Sequence, residues 1–168
     1  MKHSARLLFA IVVTAVLAAT AIVVWASPLR QGTVPVPPVQ LPVVLGTAQT
    51  IGTAQVTVTC VGATGTIDRY TAPIQQVGPA PTGDSYSSDG IGIKTDKVCD
   101  YKVCFPYPKT VADAGGKIFK WNSLTTTWNV VSSTPGSNPI SDIEGTNPQL
   151  ICVVDKGVTS GTFSLIVP

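Results

Sequence analysis

The sequence predicts an all-β protein: an antiparallel, immunoglobulin-like β-sandwich of about seven short strands, preceded by an apolar N-terminal helix. Three observations carry this prediction. Short runs rich in Val, Ile and Thr alternate apolar and polar residues with period two. Clusters of Gly, Pro, Asn and Ser break the chain between those runs. Beyond the apolar start, helical potential is confined to one turn, Thr110 to Ala114, which Gly115-Gly116 would end.

The first element is Leu7 to Ala26, an uncharged run behind Lys2 and Arg6. A basic head, an apolar run and small residues at Val24 and Ala26 make a secretory signal peptide whose cleavage frees Ser27. At ~1.5 Å per residue the same run spans a ~30 Å hydrocarbon core, so an uncleaved anchor with its basic end in the cytoplasm is the alternative. Either way, the chain from Ser27 onward is expected outside the cytoplasm, secreted or tethered at the cell surface. Residues 27–45 carry Pro28, Pro35, Pro37, Pro38 and Pro42. That density favours an extended tether. The domain plan is therefore 1–26 signal or anchor, 27–45 tether and 46–168 sandwich.

The strands follow in order. Ala54 to Val61 alternates, with Val56, Val58 and Cys60 on one face and Gln55, Thr57 and Thr59 on the other. Ile91–Thr95 and Lys102–Phe105 are short runs, the latter stopped by Pro106 and Pro108. Lys117–Trp121 and Thr127–Val131 form a hairpin across Asn122–Thr126. Leu150–Val154 and Thr162–Val167 close the chain. Pro79–Gly90 and Ser132–Pro148 read as turns and loops.

Charge and composition exclude several classes of function. The formal net charge of +2 comes from Lys2 and Arg6, and the remaining Lys and Arg balance Asp and Glu. A neutral surface has no basic stripe for phosphates, so no nucleic acid is expected as partner. Without a polybasic cluster, contact with a membrane is expected only through residues 7–26, if they stay attached. The sole histidine is His3. Without one in the mature chain, Ser-His-Asp and Cys-His catalysis and histidine metal sites fall away together. No enzyme and no cofactor are expected.

Cys60, Cys99, Cys104 and Cys152 are an even set in an exported chain, which reads as two disulfides clamping the layers. Cys99 and Cys104 are five residues apart and would face opposite sides of a continuous strand, which disfavours pairing them. The spacings lack the close pairs of zinc sites.

In sequence order, Val56-Thr57-Val58-Thr59, Gly78-Pro79-Ala80-Pro81, Val103-Cys104-Phe105-Pro106-Tyr107, Ile118-Phe119-Lys120-Trp121 with Trp128, Ile151-Cys152 and Ser160-Gly161-Thr162-Phe163-Ser164-Leu165 form a recurring pattern. The stretch from Ala54 to Val167 resembles a β-sandwich module of bacterial exported and cell-surface proteins, one with no settled function. The resemblance implies a bonded pair at the Val-Cys and Ile-Cys positions. That supports Cys104–Cys152, and with it Cys60–Cys99, a pair that the module's pattern lacks.

The expected role is a non-catalytic structural or interaction module, stapled by two disulfides, whose partner is a protein or glycan at the cell surface. Two alternatives stand beside it. Trp121 and Trp128, adjacent across the hairpin, could stack on a sugar, although core packing beside a disulfide is the simpler expectation. An extended segment such as Val34 to Leu45 could add to a neighbour's sheet and build a filament, against which its prolines argue. Asp84, Asp89 and Asp96 lie in or near a Gly- and Ser-rich loop and are weak Ca²⁺ candidates. Asp142 and Glu144 form an acidic pair with no spacing that marks hydrolysis. Asp68-Arg69 reads as surface charge.

Overall fold

The computed structural model describes residues 36–168 apart from 75, 135–136 and 146–148. The signal or anchor segment and residues 27–35 lie outside the described residues. Among the described residues no helix is long and apolar enough to cross a membrane. They form ten strands: β1 (Val39–Pro42), β2 (Gln49–Ile51), β3 (Ala54–Thr59), β4 (Gly65–Tyr70), β5 (Ser85–Tyr86), β6 (Gly90–Pro106), β7 (Lys117–Asn122), β8 (Thr127–Val130), β9 (Ile140–Glu144) and β10 (Leu150–Val167), with one helix, α1 (Lys109–Asp113). Every pairing between these strands is antiparallel. The all-β expectation holds.

The frame is β6 and β10, 17 and 18 residues long, paired from Pro106–Leu150 to Ile91–Phe163. Their register shifts between Asp155 and Ser160. There Gly157 takes φ +67°, a conformation that favours glycine. Such irregularities bend a ribbon. On one side of the bend β6 pairs with β3 and β10 with β9. On the other side β6 pairs with β4, and β10 with β7. Each long strand thus serves two half-sheets. Val56, Val58 and Val103 of the first half share one buried core with Ile67, Ile118, Phe163 and Leu165 of the second.

A buried polar group marks the corner. Asp155 is 1% exposed and accepts from Lys120 Nζ at 2.5 Å, and Lys120 lies over the Phe163 ring. The hydroxyls of Thr95 and Tyr101 are 2.6 Å apart.

The outer face of the second half carries a smaller core of Ile74, Phe119, Trp128 and Ile166. Val77, Ala80 and Tyr86 from the segment between β4 and β6 pack against it.

The structure corrects the strand count, and the cause is fusion as well as omission. Ile91–Thr95 and Lys102–Phe105 belong to one strand, joined through the exposed residues Asp96–Val98. Leu150–Val154 and Thr162–Val167 are both within β10. β4 and β9 arise where the sequence suggested surface charge and loop.

The tether also ends earlier than residue 45. Val39–Pro42 pairs with Thr66–Arg69, and Leu41, Val43 and Leu45 pack against the main core. Pro42 ends an edge strand, where a missing donor is tolerated. The part of the Val34–Leu45 segment that forms a strand pairs with β4 of its own chain.

Both disulfides form in the implied pairing, Cys60–Cys99 and Cys104–Cys152. Neither clamps opposite layers. Cys104 and Cys152 are direct cross-strand partners, with Cα atoms 4.0 Å apart. Cys60 follows β3, whose Thr59 pairs with Asp100 next to Cys99. The expected opposite facing holds. Cys99 alternates with Tyr101, Val103 and Phe105 in the main core, and Cys104 points to the other face.

Candidate functional site

Alternation puts Thr66, Asp68 and Tyr70 of β4 on the outer face, because Ile67 between them is buried in the main core. The pairs Asp68–Gly92 and Thr66–Lys94 carry that face onto β6. Gly92–Thr162 and Lys94–Ser160 carry it onto β10. The β10–β7 pairing ends at Phe163–Lys120, and Trp121, the next residue of β7, lines the same cleft as Thr162. A polar row therefore crosses three strands and ends at a tryptophan.

This row is the floor of a cleft of about 680 Å³. Tyr70 and Trp121 border it from β4 and β7, and Asn122, Asn129 and Asn138 also line it. The volume lies in the range of small-molecule sites, which run from ~300 to ~1,000 Å³.

Glycine makes the floor. A Cβ on Gly92 would lie 2.9 Å from Tyr70 Cε2, so the tyrosine ring leans over bare backbone. Trp121 is seated in the same way: a Cβ on Gly78 would collide with its indole. Its other support is Trp128, paired with it across the hairpin at a ring separation of 5.3 Å, edge to face. The hairpin's turn is held by Asn122 Oδ1, which accepts from the amides of Leu124 and Thr125.

The two tryptophans have different fates. Trp128 is 6% exposed, in the smaller core with Tyr86 edge-on at 6.0 Å, and offers no face to a ligand. Its indole N–H has no hydrogen-bond partner among the described residues. The Tyr86 hydroxyl donates its proton to Gly78 O, and burial pushes its pKa up. Trp121 is half-buried and borders the cleft.

Electrostatically the cleft is balanced. Asp68 accepts from Gln40 Nε2 at 3.0 Å and from Tyr70 Oη at 3.5 Å. Burial, then the Asp68 charge, pushes the Tyr70 phenol above its ordinary pKa. Lys94 forms no ion pair among the described residues, and Lys120 is neutralised by Asp155.

The other sequence candidates do not converge. Asp89 is taken by Arg69, with both Nε and Nη2 at 2.7 Å, and by the amide of Ala72. Asp96 accepts from the Thr64 amide and hydroxyl, and the amide holds its carboxyl below the usual range. Asp84 borders a separate apolar hollow lined by Pro73, Ile74, Pro79, Pro81 and Tyr86. The three carboxylates form no shared oxygen site. Glu144 pairs with Lys102 at 2.7 Å, and Asp142 caps the amide of Ile143. Cys104, Glu144 and Cys152 do meet, but both sulfurs are in the disulfide and have no thiolate to offer a metal.

Sequence reasoning missed Tyr70, Asp68, Lys94 and Thr162. One signal was available: Gly92 inside the Ile91–Thr95 run, a position that marks close backbone approach. No family model, curated protein or solved structure matches this chain.

Proposed function

We propose that the protein is an exported, non-catalytic interaction module, displayed at a cell surface or released, with its half-sheets arranged as an immunoglobulin-like sandwich. One observation carries the reading: all four cysteines are consumed in two disulfides. Such bonds persist in oxidising compartments and are rare where glutathione keeps thiols reduced. The apolar run Leu7–Ala26 behind Lys2 and Arg6 supports the same compartment. A single histidine, at His3, leaves the domain without the commonest general base and supports a role in binding.

The test is alkylation mass spectrometry on protein taken from its native location, with N-terminal sequencing of the same sample. Both disulfides should be intact. The chain should start at Ser27, or keep residues 7–26 with the domain on the outer side. Four free thiols in native material would overturn the reading.

A further inference from the structure

We propose that the cleft between Tyr70 and Trp121 is a binding site for a neutral oligosaccharide, with a pyranose ring lying on Trp121. The proposal rests on the reading of an exported interaction module and names the class of its ligand. A pyranose has an apolar C–H face and a rim of hydroxyls, each donating one hydrogen bond and accepting two. Its site needs an aromatic surface for the face and mixed donors and acceptors for the rim. Both are present, on adjacent strands of one sheet.

The aromatic part is pre-positioned. Trp121 is fixed from one side by Trp128 and from another by the bare backbone of Gly78. A ring already held in place loses little freedom on binding. Tyr70 and Trp121 stand on β4 and β7, three strand spacings or about 14 Å apart across the sheet, with Trp121 two residues further along its strand. Tyr70 leans inward over Gly92. The open floor that remains is Thr162 and Ser160, short hydroxyl side chains that leave room for a ring above them.

The polar part has spare capacity. An ionised carboxylate has about four acceptor sites, and Asp68 uses only two in the fold. Asn122 spends its oxygen on the turn, and its amide nitrogen has no partner among the described residues. Asn138 differs: both ends are bonded to the backbone of Lys156, so it shapes the wall instead.

Charge selects the class. Lys94 faces the floor with Asp68 one step away on the neighbouring strand. With Lys120 neutralised by Asp155, the cleft has no net charge to reward a polyanion.

The experiment titrates the full chain with neutral hexose oligomers (cello-, manno- and chito-hexaose) and an acidic control, a hexuronate oligomer. Tryptophan emission and calorimetry are the readouts. At least one neutral oligomer should bind, and binding should weaken about tenfold or more in Trp121→Ala. Thr162→Arg, which fills the floor and leaves both aromatic side chains intact, should do the same with an unchanged melting temperature. If Trp121→Ala fails to fold, Thr162→Arg decides. No binding of any neutral oligomer at millimolar concentration overturns the proposal, as does binding that survives both variants or is confined to the hexuronate. None of these outcomes alters the thiol state, so the exported-module reading stands or falls separately.

Discussion

The two disulfides make a prediction whose size follows from their positions in the chain. Cys60–Cys99 closes a 39-residue separation and Cys104–Cys152 a 48-residue one. In the chain-entropy model the stabilisation grows only with the logarithm of loop length, so each bond contributes about 4 kcal/mol. The loops follow one another and do not interleave, so their entropies should add to roughly 8 kcal/mol. Whole domains are stable by only ~5–15 kcal/mol. Replacing one pair, as in Cys60→Ala/Cys99→Ala or Cys104→Ala/Cys152→Ala, should leave a folded domain melting on the order of 15 °C lower. Replacing all four should leave it largely unfolded at room temperature. Urea titrations of the oxidised protein and the three variants measure this directly, with midpoint and slope read together. A quadruple variant no less stable than the weaker double variant would refute the independent-loop reasoning. So would a loss below about 1 kcal/mol for either pair.

Three further outcomes follow from the structure. Asp155→Asn leaves Lys120 without its carboxylate beside Phe163, and should cost about 2 kcal/mol in urea, less than for a fully buried pair because Lys120 is partly exposed. Gly78→Ala pushes a methyl into the Trp121 indole, so it should cost roughly 1–3 kcal/mol and shift tryptophan emission; an unchanged spectrum would mean the ring is not seated there. Tyr70, Tyr86 and Tyr101 all have phenols raised above 10.0, chiefly by burial. Their neutral forms are favoured by folding, so this stability is fully present below pH 10 and lost as pH rises through the folded values. Melting temperature should fall above about pH 10, and phenolate absorbance should lag that of the unfolded chain.

The legible parts of the fold were those where local sequence and tertiary environment agree. In β3, Val56 and Val58 alternate with Gln55 and Thr57, and the buried face is the apolar one. The β7–β8 hairpin and α1, stopped at Gly115 with φ +74°, were equally readable. β4 was not, because its charges are answered from far away. Asp68 is met by Gln40 and Arg69 by Asp89. A window of six residues contains neither partner, so Gly65–Tyr70 shows only Ile67 as a core residue. The fusion of four short runs into β6 and β10 was hidden for the same reason. Each long strand changes partners midway, and the exposed stretch Asp96–Val98 has no pattern of its own.

The site shows where the limit lies for function. Trp121 and Trp128 are seven residues apart and chemically identical, and the sequence could not say which of them is available. The hairpin register decides that both face the outer side. What separates them is the segment between β4 and β6, which brings Ile74 and Tyr86 over Trp128 and Gly78 against Trp121. One ring is consumed as core and becomes the support of the other. The remaining contributors, Asp68, Lys94 and Thr162, come from three strands that are remote in sequence and adjacent only through the pairings of β6 with β4 and β10. If the cleft binds the proposed oligosaccharide, replacing Trp128 by an aliphatic side chain should therefore impair binding as much as losing Trp121, by releasing the ring that it holds. Trp128→Phe retains an edge-on aromatic and should keep most of the affinity, whereas Trp128→Leu should not; equal affinity in the two would show that Trp121 is held by Gly78 alone.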